Sequence, residues 1–152
     1  MLVGITAERI ERQTLFAYPE IFTLDKKGQL TRKHIVKEII PRLLAVLEEE
    51  DLLQLEKDEY PYMRAKILLA YKDVLYEICS TFTIIRYETY QALGRTAEYV
   101  AATLSNTKDT DDVNERIVKA LDVAAKNSYL VGAPYLLIDT KSQEYQWIKG
   151  EN

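Results

Sequence analysis

At 152 residues with 47% apolar side chains, the chain can bury a real core without metals or crosslinks, and its formal charge of −4 argues against a coat or histone-like role that attracts the whole molecule to a polyanion. Its one cysteine, Cys79, excludes an intrachain disulfide. The opening MLVGITAERIERQ has no basic stretch leading into an apolar one, and no segment has the length and freedom from charge of a bilayer span, so a cytoplasmic location without a membrane partner is expected.

In chain order, Thr6 is placed to cap a first helix running to about Tyr18, with Ile10, Leu15 and Tyr18 on its buried side, before Pro19 disturbs it. Leu24-Asp25-Lys26-Lys27-Gly28 reads as a turn. Thr31 then caps a second helix over residues 32–55, in which Ile35, Ile39, Ile40, Leu43, Leu44, Val46 and Leu47 keep helical spacing. Pro41 falls inside that pattern, where its missing N–H and its ring predict a kink or a break between Ile40 and Arg42.

The third segment, residues 62–104, lacks proline and has only Gly94 as a soft breaker. Ile67, Tyr71, Val74, Ile78, Phe82 and Ile85 trace a helical stripe through it, widened by Leu68, Leu75 and Cys79, and predict the central buried element. Unbroken, it would run about 40 residues and roughly 60 Å. A break at 81–85 or at Gly94 is therefore expected; failing that, the helix must project and pair with another chain. With Tyr62, the stripe is the expected interface. Tyrosine suits such half-buried surroundings, and this chain has 11 of them against 3 phenylalanines and 1 tryptophan.

A polar loop over 106–112 leads to a helix capped by Asp111 or Asp112, with Glu115 in its first turn and Val113, Ile117, Leu121 and Ala124 on one face. Asn127-Ser128 ends it. Residues 135–138 and 144–148 then flank a turn as a β-hairpin. The fold class read from these signals is mainly α: a single domain over 1–152, a bundle of about four to six helices through residue 130, and a small hairpin over 131–152.

Charge reverses along the second helix. Lys26, Lys27, Arg32, Lys33, Lys37 and Arg42 face only Glu38, and then Glu48, Glu49, Glu50, Asp51, Glu56, Asp58 and Glu59 face only Lys57. Cations at a helix N-terminus and acids at its C-terminus oppose the macrodipole, so a partner for one or both ends is the natural reason for the pattern. Together with His34, the basic run forms an anion-seeking surface, either for phosphate or for the acidic 48–59 arm of another copy.

Chemistry is sparsely signalled. A Ser/His or Cys/His system would have to use His34, the one histidine, whose cationic neighbours lower its proton affinity. His34 and Cys79 have no zinc spacing, and Asp109-Thr110-Asp111-Asp112 lacks the glycine and distant glutamate of a calcium loop, so no metal is expected. Glu48-Glu49-Glu50-Asp51 fans around a helix instead of converging. No glycine-rich phosphate loop or dinucleotide fingerprint is present, so no cofactor is expected. The first functional expectation is a non-enzymatic helical adaptor that self-associates or binds a protein partner. The alternative is a nucleic-acid-binding regulator or a small subunit of a nucleoprotein complex. It would place the 26–42 patch on phosphates and the hairpin as a wing behind Arg116, Lys119, Lys126 and Asn127.

Overall fold

The computed structural model describes residues 1–55, 60–107 and 112–150, which form two compact units, Met1–Glu88 and Thr89–Asn152. The expected helices over 62–87 are strands, and the mainly α bundle is corrected to a mixed α/β fold. In the first unit β1 (Leu2–Thr6), β2 (Lys66–Tyr71), β3 (Val74–Ile78) and β4 (Ile84–Tyr87) make one antiparallel sheet in the order β1-β2-β3-β4. Thr6 closes β1 instead of capping a helix; α1 (Arg9–Ala17) starts after Glu8, which makes no side-chain cap.

The second helix, α2, runs continuously over 32–49, with Thr31 Oγ1 accepting from the His34 N–H at 3.2 Å as its N-cap. Pro41 neither breaks nor ends it, because Ile35–Ile39 immediately before the proline wind as a π-helix, with the Ile40 N–H bonded back to the Ile35 carbonyl. That wider turn absorbs the missing donor and the ring. It also takes back part of the drift that a four-residue repeat accumulates on a helix of about 3.6 residues per turn. Ile35, Ile39, Leu43 and Leu47 therefore stay on one face, each at 0% exposure. They pack with Leu15 of α1 against Ile67 and Leu69 of β2, Tyr76 and Ile78 of β3 and Ile84 of β4. Strand alternation explains the selection: Ile67 pairs with Ile78 and Leu69 with Tyr76, all on the helix-facing side.

In the second unit α3 (Ala97–Ser105) packs on α4 (Val113–Asn127), and β5 (Tyr135–Ile138) pairs with β6 (Tyr145–Ile148) as the hairpin. Asp112 is the N-cap of α4, accepting from the backbone of Asn114 and Glu115. Ala120 and Ala124 on α4 are fully buried. Of the expected elements, Glu56, Lys57, Asp58 and Glu59 of the acidic arm and the Lys108-Asp109-Thr110-Asp111 stretch lie outside the described residues. Among the described residues no helix is long and apolar enough to cross a membrane.

Candidate functional site

The first polar cluster lies where β1 hands over to α1. Glu11 on α1 is 3% exposed; its Oε1 accepts from the Arg64 backbone N–H at 2.7 Å, and its Oε2 has no hydrogen-bond partner among the described residues. The Arg64 guanidinium turns outward to Glu8, with Nη1 3.1 Å from both carboxylate oxygens. Burial pushes the Glu11 carboxyl above its ordinary range; the Arg64 N–H opposes that and the Glu8 charge adds to it. A buried carboxyl whose proton affinity is raised and whose second oxygen has no partner has the character of a general acid–base group. Closed off from solvent, this one fastens the start of α1 to the segment entering β2.

The second cluster gathers two of the expected anion-contact residues. The His34 Nε2 is 3.0 Å from the Thr23 carbonyl oxygen and 3.4 Å from Thr23 Oγ1. A carbonyl only accepts, so that nitrogen carries a proton and cannot act as base toward the Thr23 hydroxyl. Arg42 Nη1 donates to Thr23 Oγ1 at 3.0 Å and its Nη2 to Glu38 Oε2 at 3.0 Å. His34 and Arg42 thus tie the loop ahead of α2 to the helix. Lys26 and Lys27 sit on the exposed turn closed by the Gly28 N–H to the Asp25 carbonyl, while Arg32, Lys33 and Lys37 are exposed along α2. The expected interface residues are distributed over the sheet instead of along a helix. Tyr62 precedes β2, Ile67 and Tyr71 lie on β2, Val74 and Ile78 on β3 and Ile85 on β4, and Phe82 occupies the turn between β3 and β4 at φ 60°.

A third cluster centres on Glu77, 3% exposed on β3, which accepts from the Tyr87 hydroxyl at 2.8 Å and from the Cys79 thiol at 3.7 Å. Burial, then the Glu77 charge, pushes the thiol up, which keeps Cys79 protonated and poorly nucleophilic. In the second unit the Tyr135 hydroxyl donates at 2.9 Å to the carboxylate of Asp122, 7% exposed, and burial followed by that carboxylate pushes the phenol up. Tyr135→Phe should cost about 1–2 kcal/mol, because one oxygen of a buried carboxylate loses its donor; thermal unfolding followed by circular dichroism checks this. The groove between α4 and the hairpin is lined by Asn114, Ile117, Asp139 and Glu144, but Asp139 is committed to the backbone N–H groups of Lys141 and Ser142. Those bonds hold its carboxyl below the ordinary range.

Sequence reasoning singled out His34 and Arg42 but missed Glu11, Arg64, Glu77 and Asp122. Glu11 alone carried a readable signal, as a carboxylate four residues before Leu15 on the buried side of α1. Among the described residues no group of histidine, cysteine and carboxylate side chains could hold a metal ion.

No protein-family model matches the chain, and neither does any curated protein. Solved structures do resemble it in fold. The Thiobacillus denitrificans protein BPH superposes with a TM-score of 0.65 at 21% identity, over 87% of this chain and 70% of that one, and does so equally in its complex with epoxomicin. HslV from Trypanosoma brucei superposes with a TM-score of 0.50 at 15% identity, over 86% of this chain and 70% of that one. At these identities the likeness establishes the fold. It corrects the helical bundle, and with it the adaptor and nucleic-acid readings built on that bundle. The reading of the hairpin as a wing also loses its basis, since a wing follows a tri-helical unit, whereas among the described residues of the second unit this hairpin follows two helices.

Proposed function

We propose that this chain is a subunit of a proteasome-type peptidase, an assembly of like subunits that hydrolyses peptide bonds. The observation that carries the reading is the superposition on BPH over 87% of the chain, with epoxomicin bound to that same protein in one of its structures. Within it the Glu8–Glu11–Arg64 cluster is a positioning element, which holds the first turns of α1 in register with β2. The assembly supplies the peptide-bond chemistry, and epoxomicin is its diagnostic ligand. Light scattering should give a mass above the 17.6 kDa of one chain. The assembled protein should cleave members of a fluorogenic peptide panel, and epoxomicin should suppress that cleavage. Assembled protein that cleaves no peptide and shows no thermal shift with epoxomicin would contradict the proposal.

A further inference from the structure

We infer that the outer face of α2 is a self-complementary docking surface, on which a second copy of this chain lays the same helix antiparallel across a two-fold axis near Pro41. The buried stripe Ile35, Ile39, Leu43 and Leu47 leaves Lys33, Lys37, Pro41, Ala45 and Glu49 on the opposite, exposed side at the same four-residue spacing. Charge along the stripe changes sign from end to end: cations at the start, two uncharged residues in the middle, an acid at the end beside exposed Glu48. In an antiparallel pair centred on Pro41, Lys33 stands opposite the second copy's Glu49, Lys37 comes within reach of its Glu48, and Pro41 and Ala45 let the backbones approach. Each contact then occurs twice, because a two-fold interface repeats every pair.

Three further observations favour a second copy over any other occupant. Lys33, Lys37, Glu48 and Glu49 form no ion pair among the described residues, whereas Arg42 and Glu38, one turn round the helix, satisfy each other at 3.0 Å. The charges that oppose the macrodipole of an isolated helix are favoured once an antiparallel neighbour brings its acids to the cationic end and its cations to the acidic end. Both charged ends sit on one rigid element, roughly 24 Å apart by helical rise, so a single docking event engages both. The inference goes beyond the peptidase reading and does not depend on peptide hydrolysis.

Molar mass by light scattering at low and high salt tests it. Wild-type protein should lose half its mass at high salt, because the pairs are exposed and screened. At low salt Lys33→Glu/Lys37→Glu and Glu48→Lys/Glu49→Lys should each halve the mass, and mixing the two variants should restore it. Lys26→Glu/Lys27→Glu changes net charge by the same amount away from the stripe and should leave the mass unchanged. Unaltered circular dichroism certifies that the variants are folded, as expected for exposed positions. The inference is overturned if both double variants keep the wild-type mass, if mixing restores nothing, or if the 26/27 control dissociates equally.

Discussion

Leu69→Ala should lower the stability of the first unit by about 3 kcal/mol, since Leu69 is fully buried on β2 between Val3 of β1 and Tyr76 of β3. The sheet there meets the buried stripe of α2, so the lost methyl groups leave a cavity that neither layer can close without moving the other. A domain is typically stable by about 5–15 kcal/mol, and the urea midpoint should fall by about 2 M. The contrast is Ile85→Ala. Ile85 shares the helical stripe read from the sequence with Ile67 and Ile78, yet on β4 it pairs with Glu77 on the other face and is 39% exposed. Its truncation should cost under about 1 kcal/mol. Equal losses at the two positions would mean that the alternation, and with it the sheet, is misassigned.

That contrast also locates what the sequence concealed. Some caps and turns were legible because they are local: Thr31 and Asp112 cap α2 and α4, Gly28 closes its turn at φ 68°, and the hairpin of β5 and β6 lies where period-two residues flank a polar turn, whereas Thr6, expected as a cap, ends β1. Residues 66–87 were read as helix because both faces of the strands carry apolar residues. Leu68, Ala70 and Leu75 on one face fill the gaps between Ile67, Leu69 and Tyr76 on the other, so a period of two never shows. The hairpin turn between β2 and β3 was hidden as well, since it is built from Lys72 at φ 53° and Asp73 with no glycine to mark it. The polar clusters were less legible still. Glu11 meets Arg64 across 53 positions of sequence, and only the sheet brings them together. His34 stood out because it is the one histidine, but its role follows from the carbonyl of Thr23, which no side-chain pattern announces. The charge reversal was visible from the start. The structure adds that Arg32, Lys33, Lys37, Arg42, Glu48 and Glu49 share one unbroken helix, because a π-helical turn accommodates Pro41.

Glu11 gives the second large effect, and its pH dependence separates a structural carboxylate from a misplaced one. Glu11→Ala removes the acceptor of the Arg64 N–H, and an amide donor left buried without a partner costs about 1–3 kcal/mol, to which the vacated side-chain volume adds. Glu8→Ala removes only an exposed ion pair with Arg64 and should cost under about 1 kcal/mol. Glu11→Gln keeps an oxygen for the Arg64 N–H and removes the charge. The folded protein holds the Glu11 proton more tightly than the unfolded chain, where the ordinary value is 4.5, because burial disfavours the carboxylate. The stability contributed by this group is therefore fully present below pH 4.5 and declines as pH rises through its higher folded value. Urea unfolding of wild type and Glu11→Gln at pH 4 and pH 7 should show the wild-type advantage greatest at pH 4 and reduced at pH 7, the reverse of a salt-bridged carboxylate. An advantage that instead grows toward pH 7 would place Glu11 in an ion pair and not in the buried contact between α1 and the segment entering β2. In that event the start of α1 would be held by charge and would loosen in salt, whereas the buried contact with the Arg64 N–H holds it at any ionic strength.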